Sequence, residues 1–172
     1  MVDGEPWEIV DNDFVKPGKG QAFTRVRIKN LISGRVIERT YKSSESVETA
    51  DVTYTTMQFL YHDGDEYTFM NPENFEQITV AKEIIEDTAH WLLDATDCEV
   101  GFWGERVISV VPPNAMEYTI VEAEPAVRGD TATNVTKKAV IETGYEIDVP
   151  MFVKVGDKVK IDTRTGEYLG RK

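Results

Sequence analysis

Apolar residues recur at every second position through most of this chain, a spacing that predicts strands over most of its length. Between Phe23 and Leu31, Val26 and Ile28 alternate with Arg25, Arg27 and Lys29. An extended backbone would put the apolar pair on one face and all three bases on the other. Ser33-Gly34 is a turn signal leading into a strand from Arg35 to Tyr41, and the polar run Ser43-Ser44-Glu45-Ser46 leads out of this unit, with a boundary near Ala50. The segments Met57 to Tyr61 and Tyr67 to Met70 flank Asp63-Gly64, and Asp-Gly between apolar runs predicts a hairpin. From Val80 to Leu93 the spacing changes: Ala81, Ile84, Ile85, Ala89, Leu92 and Leu93 recur at helical intervals and predict the one convincing helix, packed against the strands.

Short strands from Glu99 to Phe102 and Arg106 to Val111 complete the middle section, and Val111-Pro112-Pro113-Asn114 reads as an extended linker. Beyond it, strands are expected over Tyr118 to Ala123, Tyr145 to Val149, Lys158 to Asp162 and Glu167 to Leu169. The pattern implies a mainly β protein of three small β-barrel units in series, residues 1–49, 50–113 and 114–172. The last two resemble five-stranded barrels of the oligonucleotide-binding type, and such beads in series would make an elongated molecule.

Charge divides the chain unevenly. Over 172 residues the net charge is −12, yet Phe14 to Lys42 carries eight bases, Lys16, Lys19, Arg25, Arg27, Lys29, Arg35, Arg39 and Lys42, against the single acid Glu38. That leaves −19 for the remainder, and Asp51 to Pro113 alone has thirteen acids against Lys82 and Arg106. A local excess of this kind steers a polyanion, so the first unit is the expected partner of a phosphate backbone and the acidic middle unit is not. The hydrophobic content of 41% is ample for compact cores, and no apolar run is long enough to cross a bilayer. The start Met1-Val2-Asp3-Gly4-Glu5 lacks a signal-peptide pattern, and the lone Cys98, read as a small core residue, agrees with a reducing compartment, so a cytosolic location is expected.

The candidate chemistry lies in Lys16-Pro17-Gly18-Lys19-Gly20-Gln21. Pro17 pre-sets a turn, and Gly18 and Gly20 leave no side chain to crowd Lys19 at its tip. His62 and His90 are isolated, without a third partner at ligand spacing, so no metal, cofactor or acid-base role is expected of them. Trp7, Trp91 and Trp103 are expected in cores. No nucleophile-base pair or phosphate loop points to an enzyme. The alternative from another class is a general single-stranded RNA-binding β-barrel protein acting away from the ribosome; it would need aromatics interleaved with the bases, and none stands between Arg25 and Arg39.

Three separated motifs carry a specific resemblance. The first is Lys16-Pro17-Gly18-Lys19-Gly20-Gln21-Ala22-Phe23, continuing into Arg25-Val26-Arg27; the second is Gly129-Asp130-Thr131. The third runs through Lys137, Ala139, Gly144, Ile147, Val149, Pro150, Val153 and Gly156 to Gly166-Glu167-Tyr168-Leu169-Gly170-Arg171. Together they resemble bacterial translation elongation factor P over the whole chain. The context of Lys19 is most similar to the branch whose lysine is β-lysylated, and Lys19 with Gln21 separates it from the paralogous elongation-factor-P-like proteins. Members of the family begin with a further stretch that includes a first strand, so with the chain starting at Met1-Val2-Asp3-Gly4 the first barrel is expected to lack that strand.

The resemblance implies a KOW- or SH3-like N-terminal domain followed by two OB domains in a shape like a transfer RNA, a monomer lodged on the 70S ribosome between the peptidyl and exit sites. It implies that Lys19 points toward the CCA end of the peptidyl-tRNA, and that a lysyl-tRNA-synthetase-like enzyme extends it, in some members with later hydroxylation. It further implies tRNA or rRNA contacts by Arg25, Arg27, Lys29, Tyr168 and Arg171. Gly129, Asp130 and Thr131 would face the exit-site codon of the messenger, and the outcome would be relief of stalling at consecutive prolines.

Overall fold

The computed structural model describes residues 1–126 and 135–172. Strands dominate, in three antiparallel sheets. The described residues fall into two compact units, Met1–Thr55 with Val100–Ser109, and Thr56–Glu99 with Val110–Lys172.

The first sheet has the order β1-β2-β3, built from β1 (Trp7–Val15), β2 (Phe23–Asn30) and β3 (Val36–Lys42). The alternation in β2 holds as expected: Val26 and Ile28 are 6% and 3% exposed, while Arg25, Arg27 and Lys29 point outward. The turn into β3 forms because the Asn30 side chain accepts from the backbone N–H groups of Ile32 and Ser33 at 2.8 and 2.9 Å. Gly34, at φ +72°, then donates to the Asn30 carbonyl. Strand β1 was not expected from the pattern. Its register shifts between Ile9 and Asp11, so Val10 bulges and breaks the two-residue period. On its inner face, beside Val26 and Ile28, lies an apolar hollow of about 570 Å³ lined by Trp7, Ile9, Leu31 and Val47 among others.

The middle sheet runs β6-β5-β4-β7-β8 through β4 (Val52–Asp63), β5 (Glu66–Met70), β6 (Gln77–Ala81), β7 (Asp97–Trp103) and β8 (Arg106–Val111). Strands β4 and β5 form the hairpin expected at Asp63-Gly64, with Gly64 at φ +58°. The expected helix from Val80 to Leu93 does not form as one piece. Val80 belongs to β6, paired with Tyr67 and 1% exposed, and only α1 (Lys82–Ile85) and a single 3-10 turn at Ala89–Trp91 are helical. Sheet pairing takes the first residues, and after Ile85 the chain tightens into a turn in which the Thr88 N–H donates to the Ile85 carbonyl at 2.9 Å, with the Thr88 hydroxyl 3.3 Å from the Ile85 and Val110 carbonyls. Of the residues at helical spacing Ile85 and Leu92 are buried, whereas Ala81 and Ile84 are exposed, so the periodicity marks burial only in part of the broken segment.

The last sheet has the order β11-β10-β9-β12-β13, from β9 (Ala115–Ala123), β10 (Thr136–Ile141), β11 (Glu146–Pro150), β12 (Lys158–Asp162) and β13 (Tyr168–Arg171). Its core gathers Tyr118, Ile120, Ile141, Val149, Val159 and Ile161, and Trp91 joins that cluster from the short 3-10 turn. Strand β10 was not expected, because Lys137 and Lys138 mask its alternation; Lys137 is nevertheless only 7% exposed. Cys98 is buried, and burial with the neighbouring Asp97 pushes its thiol up to about 12, so it is an inert core group. The histidines rest on tyrosine rings, His62 at 5.2 Å from Tyr67 and His90 at 3.8 Å from Tyr145. No helix among the described residues is long and apolar enough to cross a membrane.

Candidate nucleic-acid interface

The β1–β2 hairpin turns through seven residues, Lys16 to Ala22, between the paired Val15 and Phe23. Lys16, Gly18, Lys19, Gly20 and Gln21 are all exposed, and Pro17 is half-buried. Of the two glycines only Gly20 adopts a positive φ, +127°, where its missing side chain also leaves Pro17 Cγ 3.6 Å from the position a Cβ would take. The base of the loop is fastened to the end of β3: the hydroxyl and the N–H of Ser43 both donate to the Ala22 carbonyl, at 3.0 and 3.3 Å. Lys19 stands on this anchored turn with no ion pair or hydrogen bond to any described residue. A free ammonium on a short turn with a fixed base can be inserted into a narrow anionic site with little ordering cost.

The strand leading away from the loop carries Arg25, Arg27 and Lys29 in one outward row, with Lys42 opposite Phe23 at the loop end. The hairpin also brings acids alongside. Asp13 stands opposite Arg25, Asp11 opposite Arg27 and Glu8 opposite Lys29, and on the other flank Glu38 lies 3.5 Å from Arg25. The basic surface is thus narrower than the count from Phe14 to Lys42 implies, because that count stops short of the acids on β1. The Arg25–Glu38 pair is exposed on both sides, so its energy is small and the arginine is easily released to another anion. Arg39, on the opposite face, pairs with Asp3 at 3.2 Å.

In the C-terminal sheet, Tyr168 and Arg171 share β13. Arg171 reaches Asp157 at 3.4 Å and also covers the ring of Phe152, a residue that the sequence motifs left out. Only its exposure in a strand-end turn, which has no marker in the sequence, distinguishes Phe152 from the core aromatics. Gly129, Asp130 and Thr131 lie outside the described residues. The structure therefore groups Lys16 to Gln21 with Arg25, Arg27 and Lys29 on one hairpin, and Tyr168 with Arg171 on one strand of the second compact unit.

A KOW-like domain followed by an OB domain is the architecture of a class of translation factor. Family models match at three places. Residues 1–47 match the elongation factor P KOW-like domain, residues 52–110 the elongation factor P OB domain, and residues 116–171 the elongation factor P C-terminal domain. Elongation factor P of Magnetococcus marinus is 55% identical over 171 residues, which is 99% of this chain and 91% of the relative. Among solved structures, eukaryotic translation initiation factor 5A from Methanococcus jannaschii is similar at a TM-score of 0.51 and 29% identity, over 64% of this chain and 84% of that one. The chain belongs to the elongation factor P family.

Proposed function

We infer that this translation elongation factor binds the 70S ribosome between the peptidyl and exit sites and stimulates peptide-bond formation at consecutive prolines. One observation carries the reading: Lys19 stands exposed, with no ion pair or hydrogen bond among the described residues, on a turn whose base Ser43 fastens and where Gly20 takes a positive φ. Proline is a poor substrate because its ring fixes φ and its amine is secondary, so the attacking and accepting groups are misplaced. A cation set against the CCA end of the peptidyl-tRNA would restrict that end to a reactive arrangement, lowering the barrier by positioning. Relief of a stall of this kind needs about 2–4 kcal/mol, within the range that positioning supplies.

The lysine side chain extends roughly 6 Å, and attachment of a β-lysyl group by a lysyl-tRNA-synthetase-like enzyme would about double that reach and add a second amine. The exposure of the tip suits a modifying enzyme as well as the ribosome. Arg25, Arg27 and Lys29 would meet phosphates of the tRNA acceptor arm, and the acids on β1 would hold the backbone to that single row. Tyr168 and Arg171 would contact tRNA or rRNA, and Gly129, Asp130 and Thr131 the exit-site codon.

The test is synthesis in a reconstituted translation system with factor purified from its native host, comparing a message encoding a run of prolines with one lacking it. Selective rescue of the proline message is the expected result, with the mass of the Lys19 peptide identifying the adduct. An equal effect or no effect on both messages, with Lys19 modified, would sink the stall-relief reading and favour general RNA binding.

A further inference from the structure

At the end of β11 the chain turns so that neighbouring side chains part: Val153 is fully buried at 0% exposure and Phe152 is 55% exposed. The turn is closed by the Val153 N–H donating to the Pro150 carbonyl at 3.1 Å, so the exposure of the ring is built into the backbone. Phe152 is also held in place. Tyr168 meets it edge-on, with centroids 6.4 Å apart and planes at 77°, and the Arg171 guanidinium lies 5.3 Å from the ring centroid. Asp157 accepts from Arg171 at 3.4 Å and from the Lys154 N–H at 2.9 Å. Those contacts, the backbone bond from Lys154 first, hold the Asp157 carboxyl below its usual range, so the anion that fastens Arg171 stays charged.

More than half of the ring is open to solvent, and the cation and tyrosine around it are already positioned. Nucleic acid is the partner whose chemistry fits all three groups, since every base offers a π-face and every nucleotide a phosphate. The bases Lys154 and Arg171 outnumber the single acid they share, Asp157, and this excess favours a polyanion over an acidic or neutral protein surface. We propose that Phe152 is a stacking platform for one unpaired RNA base, with Tyr168 supporting its edge and Arg171 set to pair with the adjoining phosphate. The proposal rests on the reading that this factor works on ribosomal RNA and its ligands, and it adds a residue that the family motif does not contain.

The experiment measures the affinity of the full chain for 70S ribosomes across a salt series. Phe152→Ala is expected to weaken binding roughly tenfold, the loss of one stacked base. Phe152→Leu should be as weak as the alanine variant, and Phe152→Trp should bind within about twofold of wild type. Stacking releases no counterions, so the slope of log affinity against log salt should be unchanged in the Phe152 variants and shallower in Arg171→Gln. Wild-type affinity in Phe152→Leu would show plain apolar contact and overturn the proposal, and this variant carries the test should the alanine form fail to fold. Wild-type binding that leaves proline stalls unrelieved would remove the functional reading alone, whereas unchanged affinity in both Phe152→Ala and Phe152→Leu would remove the stacking platform alone.

Discussion

The hydroxyl of Tyr118 donates a 2.6 Å hydrogen bond to the backbone carbonyl of Trp91, and the two rings pack with centroids 5.8 Å apart. Tyr118 belongs to β9 and Trp91 to the 3-10 turn, so this contact fastens the broken helical segment to the C-terminal core, where both residues are 3% exposed or less. Burial raises the Tyr118 phenol well above its ordinary value, helped by the Glu142 carboxylate and Cys98, so it remains a donor into strongly alkaline solution. Tyr118→Phe leaves the carbonyl buried without its partner and should cost about 1–3 kcal/mol. Urea denaturation should show a lower midpoint at unchanged m; an unaltered midpoint would remove this bond from the junction.

Acid stability should depend on Asp162. Its carboxylate accepts from the Arg164 side chain at 3.2 and 2.9 Å and from the Arg164 N–H at 2.8 Å, and these bonds hold it below the usual carboxylate range. A group whose folded pKa is depressed stabilises above its unfolded value, about 4, and loses that contribution as pH falls through the folded value. Asp162→Asn should therefore melt lower than wild type at pH 7, with the two curves converging below about pH 4. A constant difference across the acid range would mean that the aspartate acts through shape and not charge.

Legibility in the sequence followed the simplicity of each local pattern. The β2 alternation of Val26 and Ile28 with Arg25, Arg27 and Lys29 and the Asp63-Gly64 hairpin were readable because every residue obeys one period or one turn rule. Strand β1 was hidden by the bulge at Val10, and with it went Glu8, Asp11 and Asp13, the acids that flank the basic row. The helix expected from Val80 to Leu93 failed because its spacing holds only in part, with Ala81 and Ile84 exposed, and because the competing β5–β6 pairing and the Thr88 contact with Val110 bring in partners outside the segment. The exposed turn around Lys19 was legible from Pro17, Gly18 and Gly20; the Ser43 anchor beneath it was not.

Arg25 and Arg27 can be tested without disturbing the sheet if their neighbours are respected. Reversing either charge would set it against Asp13 or Asp11 directly across the strand and destabilise the hairpin, so neutral replacements are the sounder probe. The double variant Arg25→Gln, Arg27→Gln should weaken ribosome binding and reduce the slope of log affinity against log salt by about two, one for each phosphate left without its arginine. A parallel shift of the whole line at constant slope would show that neither arginine meets a phosphate.

Lys19→Ala separates folding, binding and action most cleanly. The side chain is exposed and makes no ion pair or hydrogen bond to any described residue, so its removal should leave thermal stability within about 0.5 kcal/mol of wild type. Ribosome binding should fall only slightly, because Arg25, Arg27 and Lys29 remain on their strand. The rate at a proline run should nevertheless drop by about 30-fold or more, the equivalent of losing at least 2 kcal/mol of positioning, while a message without such runs is read as before. Arg is the informative second replacement: it restores a cation on the Gly20-dependent turn but cannot accept a lysyl adduct through an ε-amine. Partial rescue by Lys19→Arg would assign part of the effect to charge at the tip, and none would assign it to the adduct. Full activity in Lys19→Ala would move the functional group off this loop altogether.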